Sequence, residues 1–429
     1  MGIKAYISVF LGGLLIIAGS LGAGEPPQKA DVYAITNATV VPVTAPIIEK
    51  GTVVVSRGRI VAVGAEVEIP QDATIIDGNG LYVYPALINS STILGLYEVG
   101  SVRATLDSSE TGKFNPDVRV AVAINHESVH IPITRSVGIA LALVAPRGGM
   151  ISGQSALIRL EGWNWSEMLV KSPVGLHISF PQVRARRRAA EEENEEEVSK
   201  AIQELKDYFT EARHYMERKE GAAKDASLTA PPVNMKFEAM IPALKGELPV
   251  IVSVATSDAI KEALKFVEEM KLKAIFLGVS EGWKVVDELK KADIPVILSS
   301  LYGTPREWKD GYDAPYRNAG ILCQAGIKVV FSTGDAALAN NLPYHAAKAA
   351  AFGLPKEEAL KGVTIYPAQI FGVDKDYGSI EVGKVANILV TDGCPLEITT
   401  QVRYVLIDGK PVDLSNKHTE LYEKYRKKK

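Results

Sequence analysis

Short apolar runs alternate with amphipathic helical stretches through the middle of the chain. Residues 139–145, 248–254, 274–279, 294–299 and 327–332 are apolar at nearly every position, as expected of strands buried on both faces of a parallel sheet. Between these runs the spacing becomes helical. Ile260, Leu264 and Val267 share one face of a helix that Ser257 is positioned to cap. Pro355 stands where a first-turn proline belongs, ahead of Ala359 and Leu360. This alternation predicts an α/β fold with a parallel sheet. Periodicity alone admits both a (β/α)8 barrel and a doubly wound sheet.

The two ends read differently. Tyr33 to Val43 and Thr52 to Val55 are β-branched and apolar, and Arg57-Gly58-Arg59 turns the chain into Ile60 to Val63. Near the other end, Asn387 to Thr391 and Val402 to Ile407 read as strands, with Asp408-Gly409 reversing the chain. Strand-rich segments on both sides of a long middle predict one small β domain assembled from both ends.

The 429 residues, 47% hydrophobic and 23% charged, suit one large domain plus a smaller one. A formal net charge of -3 gives no general electrostatic case for nucleic acid or an anionic membrane. Residues 1–23 have the form of an export signal: Lys4, an apolar run from Ala5 to Gly19, then the small residues Ser20 to Ala23. The expected location is therefore periplasmic or extracellular, with no membrane attachment after cleavage. Cys323 and Cys394 do not make a disulfide scaffold, although an exported chain leaves their pairing open. Arg184 to Arg188 is basic and Glu191 to Glu197 is acidic; the pairs Arg187 with Glu191 and Arg188 with Glu192 predict a solvated helix within a charged insertion, 182–230. The lysine-rich residues 416–429 read as a solubilising tail.

Several motifs, in order and spacing, resemble the amidohydrolase superfamily, and within it the exported members often described as imidazolonepropionase-like. They are Gly51 to Gly64, Pro85 to Leu94, Pro146 to Gln154, Gly334-Asp335, Thr364 to Ala368 and Gly378 to Lys384, the last running into Ile388 to Gly393. The resemblance implies a metal-hydrolase (β/α)8 barrel over 85–374 and a β-sandwich made of 30–84 and 375–415. It also implies ligands at the C-terminal ends of barrel strands. In that family a His-x-His follows the first strand, and a lysine or glutamate from the fourth bridges two metals. The fifth and sixth strands give one histidine each, and the eighth an aspartate that shuttles the proton. Zinc or another divalent ion activates the attacking water.

At those positions this chain carries Ser91 and Ile93, then His177, Ser253 and Leu277; the eighth-strand aspartate is Asp335. Ile93 and Leu277 have no lone pair and serine hydroxyls are poor ligands, so the expectation is no metal cofactor. Asp335, the single catalytic candidate, is also placed to cap the helix after it. His345 is a candidate for the barrel mouth. His126 and His130 are four apart, but Pro132 makes a surface turn the expected reading. Pro146-Arg147-Gly148-Gly149 reads as a strand-to-loop turn.

Three functions follow as expectations. The first is a non-catalytic binding or partner subunit, homo-oligomeric or paired with a histidine-complete relative, with a small molecule as a possible ligand. The second is a hydrolase of carbon–nitrogen bonds that uses Asp335 with one metal or none. The third is an interaction protein acting through the charged helix.

Overall fold

Segments from the two ends of the chain build one sheet. In the computed structural model, which describes residues 31–182, 191–299 and 301–428, the first segment supplies β1 (Val32–Val40), β2 (Ile48–Ser56), β3 (Arg59–Gly64), β4 (Thr74–Asp77) and β5 (Tyr82–Pro85). The middle supplies β6 (Leu87–Thr92), β7 (Ile139–Val144), β8 (Ile151–Gln154), β9 (Ala156–Arg159), β10 (Leu169–Lys171) and β11 (Leu176–Ser179). It continues with β12 (Val250–Val254), β13 (Ala274–Gly278), β14 (Val296–Leu298) and β15 (Val329–Phe331). The last segment supplies β16 (Ile388–Thr391), β17 (Val402–Ile407) and β18 (Lys410–Pro411). The export-type stretch and the Arg187–Glu191 and Arg188–Glu192 pairs lie outside the described residues.

The terminal sheet runs β18-β17-β16-β5-β1-β2-β3, with β4 on β1. Its join is the antiparallel pair β5–β16, with Val83 opposite Val390. Ile35, Val53, Val83, Ile388, Val390 and Leu406 from both ends form one apolar cluster. The turns Arg57-Gly58 and Asp408-Gly409 both use left-handed backbone, and a Cβ on Gly409 would stand 2.7 Å from the Gly58 Cα. Glycine is what lets the two turns touch.

The middle forms two further sheets, β10-β9-β7-β6 and β15-β14-β13-β12-β11-β8. From β11 to β15 all pairs are parallel, as the apolar runs predict. The exception is β8–β9, which runs antiparallel to β11 and to β7. Residues 145–150 between β7 and β8 are too few for a parallel crossover, which needs a dozen or more residues. Only Ser155 separates β8 from β9, so one stretch of chain serves both sheets. At the opposite edges β6 and β15 are not paired as strands, but Gly334 N–H donates to Ser91 O at 2.9 Å and Ile88 N–H to Val363 O at 2.8 Å. The fold is therefore mixed α/β.

Two helices depart from the sequence reading. The helix Ser257–Glu269 buries Ile260, Phe266 and Val267 as expected, but its cap is Thr256, whose hydroxyl accepts from Ala259 N–H at 3.3 Å. The Ser257 N–H is taken instead by the Glu281 carboxylate. The region 182–230, read as a charged insertion, contains the helix Glu191–Lys224. This helix is not solvated on every side: Leu205, Phe209, Ala212 and Met216 are buried, and the Phe209 ring meets Phe266 edge-on at 5.4 Å. The spacing 4, 3, 4 is a core-facing stripe that the charge count concealed. Among the described residues no helix is long and apolar enough to cross a membrane. Cys323 and Cys394 are both free thiols.

Candidate functional site

A cavity of about 390 Å³ opens where the strands of the two middle sheets end. Its wall is drawn from Ser91 near the end of β6, Arg147 after β7, Ser179, Ser253 and Leu277 at the ends of β11, β12 and β13, Ser299 after β14, and Gly334 after β15. Four positions singled out in the sequence, Ser91, His177, Ser253 and Leu277, therefore meet in one cavity. Ile93 does not join them. It lies 5% exposed in the main apolar core beside Leu94 and Leu96.

His177 is the deepest titratable group here. In β11 it lies opposite Gly153 on one side and Ile251 on the other, and it is 3% exposed. Its Nε2 has no hydrogen-bond partner, and burial lowers its pKa to about 3. The ring is therefore a neutral, unpaired imidazole at any physiological pH. Among the described residues the hydroxyls of Ser91, Ser152, Ser179 and Ser253 also make no side-chain hydrogen bond, whereas Gln182 Oε1 accepts from Ala255 N–H at 3.2 Å.

Asp335 stands one residue beyond the wall. Gly334 adopts φ +64° while donating to Ser91 O, and this aims the next residue away from the lining. The carboxylate Oδ1 accepts from Leu338 N–H at 3.0 Å, and the Asp335 carbonyl accepts from Thr92 Oγ1 at 2.5 Å. Asp335 thus closes a turn just ahead of the short 3-10 helix Ala339–Asn341; the N-cap of that helix is Leu338, with no side-chain cap bond, so Asp335 does not take the helix-capping role expected from the sequence. Among the described residues Arg147 is the one charged residue in the cavity wall; a guanidinium nitrogen lies 3.8 Å from where a Gly334 Cβ would be. Burial lowers its pKa and the Asp335 carboxylate opposes that shift. Pro146 to Gly149 is a strand-to-loop turn, as expected, with Gly148 and Gly149 left-handed.

The other histidines stand apart. His345 lies in the helix Leu342–Ala351, 3% exposed, with Nδ1 accepting from Leu301 N–H at 3.3 Å and its ring edge-on to Tyr302; burial lowers its pKa to about 4. It supports the 301–302 loop and lines neither cavity of this face. His126 is exposed. His130 begins the helix His130–Arg135, so the expected turn is a helix; Pro132 sits in its first turn, where no amide donor is needed.

A second cavity, about 310 Å³, shares Ala255, Gly278 and Ser299 with the first. Beside it Glu281, Glu307 and Asp310 lie close enough for one ion, the single such grouping of three potential ligands among the described residues. Lys284 Nζ is already there, 2.8 Å from Asp310, 3.2 Å from Glu281 and 3.5 Å from Glu307. Burial opposes its charge, but the bonds from Asp310 and Glu281 outweigh burial and raise its pKa.

Residues 316–414 match the amidohydrolase family. The matched stretch spans β15, Asp335 and the C-terminal share of the terminal sheet. The chain is 22% identical over 422 residues to the amidohydrolase tasK of Hapsidospora irregularis, covering 86% of this chain and 41% of that protein. It thus spans about two-fifths of that relative's length. Among solved structures it resembles an amidohydrolase from Thermotoga maritima, with a TM-score of 0.80, 26% identity, and coverage of 89% of this chain and 99% of the other. An adenosine deaminase from Xanthomonas campestris, solved with bound zinc, shares the fold at a TM-score of 0.52 and 18% identity, over 94% and 98% of the two chains.

Amidohydrolases typically use divalent metals. Among the described residues the first cavity offers one imidazole, one guanidinium, the Gln182 carboxamide and the hydroxyls of five serines and a threonine. Zinc sites take three or four imidazole, thiolate or carboxylate ligands, so this donor set does not fit such an ion. The acidic triad has the right ligand chemistry, with the Lys284 ammonium set among its carboxylates.

Sequence reasoning missed Arg147, Gln182, Ser152, Ser179 and Ser299 as wall residues. Arg147 and Ser299 were findable, since Ser299 ends one apolar run, Arg147 lies two residues past another, and both fall at the end where such folds build sites.

Proposed function

We propose that the protein is an exported, small-molecule-binding member of the amidohydrolase superfamily that does not carry out metal-dependent hydrolysis. The observation that carries this reading is the cavity wall itself: Ser91, His177, Ser253 and Leu277 meet where the family's ligands are expected, and they supply a single imidazole. The reading takes the two middle sheets as one closed barrel. Three features support closure: the shared β8–β9 stretch, the Gly334–Ser91 hydrogen bond, and the common cluster of Ile88, Leu141, Leu157, Ile251, Ile275, Ile297 and Val330. A binding role also fits the hydroxyls of Ser91, Ser152, Ser179 and Ser253, which line the cavity with no hydrogen-bond partner among the described residues.

A second reading, hydrolysis of carbon–nitrogen bonds through Asp335, is favoured by the relatives whose names describe amidohydrolases. One experiment separates the two. The purified full chain is assayed against a panel of small cyclic amides and dipeptides, alongside Asp335→Asn. The binding reading expects no turnover above buffer for either protein. Turnover that Asp335→Asn abolishes would replace it with the hydrolase reading.

A further inference from the structure

We infer that the first cavity binds a small organic monoanion through a carboxylate held on Arg147. This rests on the binding reading above and names the ligand class for that site. Among the described residues Arg147 is the single charged one in the wall, and its guanidinium makes no hydrogen bond or ion pair with them. The Asp335 carboxylate acts on it electrostatically, while Asp335 Oδ1 accepts from Leu338 N–H. A guanidinium in partly desolvated surroundings is a strong, directional partner for a carboxylate. The inner wall is uncharged but polar. Among the described residues the hydroxyls of Ser179 and Ser253 make no hydrogen bond, and neither does Nε2 of His177, a residue 3% exposed.

That division sets the ligand. Among the described wall residues a dianion would leave one charge with no counter-charge, and a cation would meet Arg147, so both are disfavoured. A monoanion with hydroxyl or amide groups behind its carboxylate would satisfy both ends. The volume, about 390 Å³, falls at the small end of ligand pockets. Burial keeps the His177 ring neutral, so it adds polarity without a second charge.

The test uses purified full-length protein and matched probes: L-lactate, L-pyroglutamate and benzoate, each beside its neutral primary amide, with glycerol 3-phosphate as the phosphate arm. Binding is read by calorimetry and by ligand-observed NMR. At least one carboxylate should bind and its amide should bind about ten- to hundredfold more weakly, the worth of a hydrogen bond to a charged group. Arg147→Gln should lose the same factor, and Arg147→Lys should recover part of it while circular dichroism stays unchanged. The inference is overturned if no carboxylate binds, if acid and amide bind alike, if Arg147→Gln binds the acid as wild type does, or if the phosphate dianion binds more tightly than every carboxylate. Metal content measured on the same sample reports separately on the binding reading, so the two failures are distinguishable.

Discussion

Replacing His177 by leucine should flatten the acid limb of the stability curve. The imidazole is 3% exposed with an unpartnered Nε2, and burial lowers its pKa from 6.5 to about 3. Between those values the unfolded chain binds a proton that the folded chain does not, so stability falls as pH drops below about 6.5. Between about pH 7 and about pH 4.5 this one ring should cost about 2.5 kcal/mol. His345, lowered to about 4 by the same cause, adds a similar loss. The leucine variant should keep the His345 part and lose the His177 part. At neutral pH it should be about 1 kcal/mol more stable than wild type, because an unpaired buried polar atom is removed. The assay is urea unfolding followed by circular dichroism across the pH range, read as the difference between variant and wild type so that shared carboxylate effects cancel. Equal acid limbs for the two proteins would refute the reasoning and mean that the folded state protonates His177 with an unrecognised partner.

Two further substitutions probe the scaffold. Phe209→Ala should cost about 3–5 kcal/mol in urea unfolding at neutral pH, because its fully buried ring packs on Phe266; a loss under about 1 kcal/mol would return that helix to the surface role the charge count implied. Lys284→Met leaves Glu281, Glu307 and Asp310 facing one another without their cation. It should destabilise the protein by about 3 kcal/mol at neutral pH, with part of the loss restored by calcium; a variant as stable as wild type in calcium-free buffer would show that the lysine does not hold the triad.

Much of the scaffold was legible because its cause is local. The parallel strands β12 to β15 fall in nearly continuous apolar runs, and both hairpin turns carry a glycine suited to left-handed backbone. What remained hidden depends on distant partners. Nothing near Glu191–Lys224 announces that Phe209 meets Phe266, and the charged surface face outnumbers the apolar stripe. The antiparallel β8–β9 stretch is not among the apolar runs, because Ser152, Gly153, Gln154 and Ser155 interrupt it. Ser91, His177, Ser253 and Leu277 were identified by resemblance, and they line one cavity. Ile93, two residues from Ser91, faces the main core, and Arg147, read in the sequence only as part of a strand-to-loop turn, supplies a charge to the wall.

The central claim is that the cavity lacks the ligands for a divalent ion. Its most direct test is the metal content of the full chain, purified without chelator after growth in zinc-supplemented medium and measured by plasma mass spectrometry. The account predicts zinc, manganese and iron together far below one per chain, unchanged in Asp335→Ala. Near-stoichiometric metal that Asp335→Ala or His177→Leu releases would contradict it.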